Sequence, residues 1–524
     1  MSDQNSPNGS AKKLGTLGLA AIVVSSMIGG GIFSLPQNMA ASAGLAAVLI
    51  AWVITGVGVF FIANSFKTLS FVRPDLTAGI YMYGKEGFGK YAGFTVAWGY
   101  WLCQIFGNVG YAIITMDALN YFFPGKFTGG NNALSIIIGS LLIWVFNFAV
   151  LKGTKQASAI NIIGTIGKLV PIFVFIIAMV FVFNFDKFSF DVFGNLATHG
   201  EHNLGSLPAQ IKSTMLVTLW AFIGIEGAVV MSGRAKSQKD VGYATILGFS
   251  GGLIVFVLLS VLPYGFMSQA ELADIANPST AGILEKAVGT WGAYLMNIGL
   301  IVAVLASWLA WTMITAEVPF AAANDTTFPK FFAAQNSKGA PSASLWTTSL
   351  TMQAAILFAA FSSNAWNTML SITSVMVLFP YFTSMLFLCK CAFSESVCRG
   401  TNARFCKKAA LLSGVVGAIY TLWLIYAAGI DYVLLSVIFL TLGIPVYIWA
   451  QRERNLPAFN KTERLAAIVL VVVSIAAIVL MLDHKLPAFD NTTQQTTAQT
   501  TKPEQKHSKL IKRHGHSLPI RQNQ

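Results

Sequence analysis

The sequence predicts an all-α integral membrane protein of about 12–13 transmembrane helices, arranged as a 5+5 inverted repeat with discontinuous helices 1 and 6. Three observations lead there. The 524 residues are 55% hydrophobic and only 10% charged, against about 25% charged in an ordinary soluble domain. Lysine and arginine gather in every second loop. Two apolar windows, five apart in order, are interrupted by glycine clusters.

So few ionisable groups cannot solvate the surface of a 56.3 kDa globule, which disfavours a soluble enzyme, a disordered chain or a secreted scaffold. A net charge of +13 would suggest a nucleic-acid partner in a soluble protein; here the position of each cation matters more, and no nucleic-acid partner is expected. Five cysteines (Cys103, Cys389, Cys391, Cys398 and Cys406) are too few for a disulfide framework in a chain this long. Their spacing is not a zinc pattern, so no metal and no cofactor is expected. The polar start through Lys13 leads into an apolar segment too long for a signal-peptide core, and no cleaved leader is expected.

A spanning helix needs roughly 20 predominantly apolar residues. Thirteen windows qualify: 17–37, 44–66, 92–122, 134–151, 160–183, 211–232, 243–268, 290–317, 345–361, 367–392, 408–428, 431–450 and 464–482. The ninth is short. The third and eighth are long enough to tilt or to project beyond the hydrocarbon.

The loops test the count. With the N-terminus inside, the cytoplasmic segments before the last span hold 22 basic residues. Among them are Lys67, Arg73, Lys85 and Lys90 after span two, and Lys390, Arg399, Arg404, Lys407 and Lys408 after span ten. The external loops hold only Lys126, Lys187, Lys212 and Lys286. Cation excess on one side sets orientation, so a multi-pass protein of the cell (inner) membrane with a cytoplasmic N-terminus is expected. An odd number of spans places the C-terminus outside; without span thirteen it would lie inside. The expected organisation is a cytoplasmic N-terminus over 1–13, a transport core of spans 1–10 over 14–392, peripheral helices over 393–484 and a disordered basic tail over 485–524.

Within lipid every backbone polar group must be satisfied, so a glycine cluster in mid-span is tolerated where the helix opens onto a cavity or a neighbour. Span one contains Ser25-Ser26-Met27-Ile28-Gly29-Gly30-Gly31-Ile32-Phe33. Three consecutive glycines are a poor way to continue a helix, each costing about 1 kcal/mol relative to alanine. Span six contains Trp220-Ala221-Phe222-Ile223-Gly224-Ile225-Glu226-Gly227, a carboxylate between two glycines. Close helix packing through small residues explains an isolated glycine pair. Interruptions at corresponding positions of two halves instead point to inverted repeats, spans 1–5 and 6–10, with a substrate site between them.

These same residues carry a family resemblance. Ser26 through Pro36 resembles the first helix of the amino acid–polyamine–organocation (APC) superfamily, Trp220 through Gly227 its sixth, and Trp311-Thr312-Met313 its eighth. Ala97 through Leu102, Ala316 through Phe320 and Ala340 through Trp346 resemble the basic amino acid/polyamine antiporter branch, and within it the arginine/ornithine antiporters. The resemblance runs from about Lys13 to Ala450 and implies a LeuT-like fold working by alternating access.

An amino acid presents a carboxylate, an ammonium and a side chain. Opened helices offer free N–H groups at one half-helix terminus and free carbonyls at the other. Main-chain N–H groups around Ile28, Gly29, Gly30 and Gly31 can hold the carboxylate, because glycine allows close approach. Related exchangers often have serine or threonine inside this run, and Gly30 supplies no hydroxyl. Carbonyls near Ser25 and Ser26 and from Trp220 to Ile223 can accept from the ammonium. A cationic side chain in a dry pocket needs a carboxylate or aromatic faces. By the resemblance, Tyr100, Trp220 and Trp311 line that pocket; taken singly, each suits a packing role as well. Asn108 is a further polar candidate, with a helix–helix hydrogen bond as its alternative.

Glu226 is the foremost intramembrane acid: it can pair with substrate, bind a proton, act as a gate that changes partners, or form a structural ion pair. Glu317, nearer the end of span eight, suits an interfacial role. Lys168 stands well inside span five. It can snorkel to the inner edge or, as the superfamily resemblance implies, brace helices one and eight where relatives hold sodium. Glu226 and Lys168 are thus the gating and coupling candidates.

The leading expectation is an antiporter exchanging arginine for ornithine, with small cationic amino acids and the bilayer as its partners and a homodimer as an allowed assembly. The alternatives are a proton-coupled cationic amino acid symporter, or a basic amino acid/amine exchanger for lysine, histidine or agmatine. No His, Cys, Ser or Asp constellation at one depth suggests an enzyme. No GxxxxGK[ST] loop suggests an ATP-driven pump. The loops are too short for a signalling domain, and an aromatic occluded site does not suit a channel.

Overall fold

The computed structural model describes residues 15–76, 79–152, 157–195, 204–230, 235–362, 364–393 and 403–482. The expected N-terminal segment 1–13, the basic tail 485–524 and Cys398 lie outside these. The described residues form helices and no strand element, as a chain that must satisfy its backbone in lipid requires.

Span one is α1 (Thr16–Met27), a 3-10 turn (Gly30–Ser34) and α2 (Leu35–Ala40). Span two is α3 (Leu45–Val72). A short helix α4 (Tyr81–Phe88) precedes span three, α5 (Lys90–Phe122); spans four and five are α6 (Ala133–Leu151) and α7 (Ala157–Val182), followed by a short α8 (Phe185–Phe190). Span six is α9 (Leu207–Ala221) and α10 (Gly227–Val230), separated by turns; span seven is α11 (Gln238–Val261). The hairpin of α12 (Gln269–Ala273) and α13 (Ser279–Val288) leads to span eight, α14 (Thr290–Asn324). Then come α15 (Ser342–Ala359), α16 (Ala365–Phe393) and α17 (Ala403–Ala427). Span twelve is α18 (Ile430–Thr441) and α19 (Ile444–Arg452), and span thirteen is α20 (Lys461–Leu482).

Each of the thirteen apolar windows therefore coincides with helix. Among the described residues, ten helices are long and apolar enough to cross a membrane. The other three windows are the two broken spans and α15, which has 18 residues and a run of Ser and Thr. Two departures from the expected continuous spans have local causes. Span twelve is interrupted where Pro445 opens α19, since proline removes a helical N–H and clashes with the preceding turn. The loops before spans three and eight carry α4, α12 and α13, which are too short to register as spans.

The two halves share one layout. In each, the first span is broken and the third is longest, at 33 residues for α5 and 35 for α14. In each, a short helix ends on a glycine in the left-handed region that starts the long one: Gly89 at φ 99° and Gly289 at φ 91°. A bulky residue in that region carries a steric cost that glycine escapes. At about 1.5 Å per residue both long helices reach about 50 Å, well beyond a hydrocarbon core of about 30 Å. They cross at the centre, α5 packing on α14 and α16, and α14 on α7, while α20 shows most of its surface to the outside. Gly164 and Gly167 of α7 sit against Ala306 and Val302 of α14, bringing those two backbones close.

Loops of equal parity meet. On one face, Lys85 pairs with Asp325 at 2.8 Å, Lys390 Nζ donates to Gly87 O, and Arg454 donates to Phe328 O. Asn336 donates to Leu151 O, and Thr16 to Asp240. On the other face, Gln37 donates to Ala273 O, Ala46 N to Val192 O, and Asn131 to Ser362 O. The cation-rich loops thus lie together, on what is called here the basic face. There the Arg73 guanidinium holds the Asp75 carboxyl below the usual carboxylate range by a direct hydrogen bond; this largely exposed pair adds little to stability.

The breaks of spans one and six touch. Gly224, at φ 107°, would place a Cβ 2.9 Å from the Ser26 carbonyl carbon. Gly224→Ala therefore combines backbone strain with a backbone clash. It is expected to cost about 1–3 kcal/mol, read as a lower melting temperature of the purified protein in detergent.

Candidate functional site

Span one stops being helical because of its glycines. Ile28 leaves the helix at φ −77°, ψ 77°, and Gly29 is extended at φ −95°, ψ −165°. Tight turns then run from Gly30 to Ser34 and leave their first N–H groups without intrahelical partners. In span six α9 ends at Ala221, and the next five residues form successive turns held by bonds such as Ile223 N to Trp220 O and Gly227 N to Gly224 O. Ser26 Oγ lies 2.9 Å from Ile22 O and 3.0 Å from Gly224 O, so its single proton serves either its own helix or the opposite break.

Glu226 is wholly buried and caps the second break. One carboxylate oxygen accepts from Tyr100 Oη at 2.8 Å. The other accepts from Tyr381 Oη at 2.6 Å and from Gly224 N at 3.1 Å. The carboxylate therefore satisfies an amide freed by unwinding and ties span six to spans three and ten. An ion pair with a neighbouring span is not among these bonds; hydrogen bonds stabilise the acid instead.

A cavity lies beside both breaks. Of the residues expected to serve a substrate, it is lined by Ser26, Gly29, Tyr100, Asn108, Trp220, Ile223, Trp311 and Glu226. Met27, Cys103, Gln104, Gly107, Tyr111 and Thr373 complete the wall and were not anticipated. Tyr381, equally unanticipated, stands behind Glu226. Ile28, Gly30 and Gly31 do not line the cavity. Ile28 is in the apolar core, a Cβ on Gly30 would meet Val304 and Ile114, and the indole of Trp220 lies directly on Gly31. Lys168 is also elsewhere: it is 4% exposed, and its Nζ lies 3.5 Å from Ser307 Oγ on α14. That burial does not fit a side chain snorkelling to the edge. Glu317 is exposed.

The wall has one carboxylate, four aromatic side chains in Tyr100, Tyr111, Trp220 and Trp311, and no basic residue. Toward the basic face stand Glu226 and its tyrosines. Toward the other face stands Trp220, in edge-to-face contact with Trp366 at 5.4 Å. Such a wall suits a cation with an apolar stem. A pocket set between two helices broken at corresponding positions is the arrangement of a secondary transporter's substrate site.

The family profile for amino acid permeases matches residues 14–448, and the chain belongs to that family, within the APC superfamily of transporters. It is 58% identical over 479 residues to an arginine/agmatine antiporter of Chlamydia abortus, covering 91% of this chain and 98% of that one. It is 56% identical over 475 residues to the protein of the same name in Chlamydia trachomatis serovar L2, covering 90% and 97%. A third such antiporter, in Chlamydia pneumoniae, is 58% identical over 446 residues, covering 85% and 92%.

Because the indole of Trp220 rests on the Cα of Gly31, a methyl there displaces it. Gly31→Ala is expected to lower uptake of labelled arginine into liposomes at least tenfold. In a Trp220→Ala background the same change should add little, since coupled residues are non-additive; equal losses in both backgrounds would show that the contact does not matter.

Proposed function

We propose that this protein is an antiporter for cationic amino acids and amines that exchanges arginine for agmatine by alternating access. Its setting would be the cell (inner) membrane, with the basic face and the N-terminus in the cytoplasm. The cavity's composition carries the reading: one carboxylate, aromatic walls and no basic residue favour a substrate whose side chain is a delocalised cation. The names of the 55–58% identical relatives support agmatine as the counter-substrate, in place of the ornithine expected from family resemblance alone. In this reading the main-chain N–H groups of Gly30 and Gly31 take the arginine carboxylate once Trp220 lifts from Gly31. Agmatine is arginine without that carboxylate and leaves the glycine run unoccupied. Glu226, Tyr100 and Tyr381 close the path toward the basic face and must part for release there.

The two exchange pairs differ in charge. Arginine carries one net positive charge at neutral pH and agmatine two, so each arginine-for-agmatine cycle moves one charge; arginine for ornithine moves none. The membrane potential is worth about 2.3 kcal/mol per charge per 100 mV. In liposomes loaded with agmatine, arginine uptake is expected to require the internal amine. An interior-positive potential of about 60 mV should raise arginine accumulation about tenfold. Uptake into empty liposomes driven by a proton gradient would instead identify a symporter. Dependence on internal ornithine without response to potential would restore the arginine/ornithine pair.

A further inference from the structure

Tyr100, Gln104, Asn108 and Tyr111 recur at intervals of four, four and three along α5 and form a stripe down the cavity wall. The amide of Asn108 is pinned in one orientation. Its Nδ2 donates to Gln104 O at 2.8 Å and to Thr315 Oγ1 at 3.1 Å, which uses both of its protons. Its Oδ1 is buried and has no hydrogen-bond partner. One turn away, Gln104 is 5% exposed, and its Oε1 has no hydrogen-bond partner. The two oxygens of Glu226, by contrast, are engaged by Tyr100, Tyr381 and Gly224. Buried amides are normally hydrogen-bonded, so the partners missing here are those that the contents of the cavity must bring.

We propose that Gln104 determines specificity for a guanidinium group: its Oε1 and the Oδ1 of Asn108 together accept N–H donors from the planar head of the substrate. A guanidinium offers five donors in a rigid fork and no acceptor. Two acceptors one helical turn apart engage both of its edges, whereas a primary ammonium, compact and strongly hydrated, is held by one. Trp311, on the same wall, offers a face on which that plane can lie. The inference rests on the exchange reading above and adds to it which atoms separate arginine and agmatine from lysine and ornithine.

The test uses purified full-length protein in liposomes, with labelled arginine taken up against internal agmatine and unlabelled agmatine, lysine or ornithine as competitors. Gln104→Met keeps the length of the side chain and removes the acceptor. It is expected to raise KM for arginine and the half-inhibitory concentration of agmatine about tenfold, while those of lysine and ornithine change less than threefold. Gln104→Glu keeps an acceptor and is expected to bring arginine KM back to within threefold of the wild type. An unchanged preference for arginine over lysine in Gln104→Met, or an equal loss for all four compounds, would overturn the proposal. Should that variant not fold, competition on the wild-type protein decides: symmetric dimethylarginine keeps the charge but loses N–H donors. It is expected to compete at least tenfold more weakly than arginine, and equal competition counts against Gln104. Absence of any wild-type arginine uptake that depends on an internal substrate defeats the exchange reading itself, a result distinct from each of these.

Discussion

Two helices that unwind inside a membrane must unwind against each other, and the contact between Ser26 and Gly224 is where this protein does so. Backbone amides and carbonyls released from a helix find no water in hydrocarbon. Here span one supplies the break in span six: a serine hydroxyl reaches across to a carbonyl, and a left-handed glycine lets the two chains approach to backbone distance. Glu226 extends the arrangement by accepting the Gly224 amide, which would otherwise be stranded. A carboxylate buried for that purpose is costly on its own, and two tyrosine hydroxyls offset the cost. The floor of the cavity thus follows from what the broken backbone needs.

The architecture was legible because its signals are long. Twenty apolar residues cannot be hidden, cations in alternate loops cannot be placed by chance over twelve connections, and a glycine triplet has few uses in mid-membrane. The short helices α4, α8, α12 and α13 were not legible: each is ten residues or fewer and falls in loops that the span count passes over. In the site, glycines, aromatics and the one deep acid were visible as residue types out of place. Gln104, Tyr111 and Thr373 were not. The first two sit on α5, a helix buried on nearly every side, where apolar periodicity has no contrast to offer. Tyr381 is 155 positions from the carboxylate it meets, and only the fold brings them together.

The glycine run shows the opposite limit. Its departure from helix was predictable, but which face each glycine would turn was not. A break of four or five residues has no fixed period, so Gly29 borders the cavity while Gly30 and Gly31 receive Val304 and Trp220. Lys168 is a related case: a lone buried cation announces itself in sequence, whereas its neighbour Ser307 lies 139 residues away on a helix of the other half.

The far half of span one is fastened to the α12–α13 hairpin at several points. Gln37 donates to Ala273 O, Gln269 to Ala40 O, and Thr280 to Phe33 O at 3.0 Å, while Asn277 donates to Gln37 Oε1. Four bonds tie this end of span one to the hairpin. Any tilt of α2 away from the bundle must carry the hairpin along like a flap on its hinge, so the mouth on that side widens by the sweep of the whole flap. A rotation at Gly29 would therefore displace both segments together.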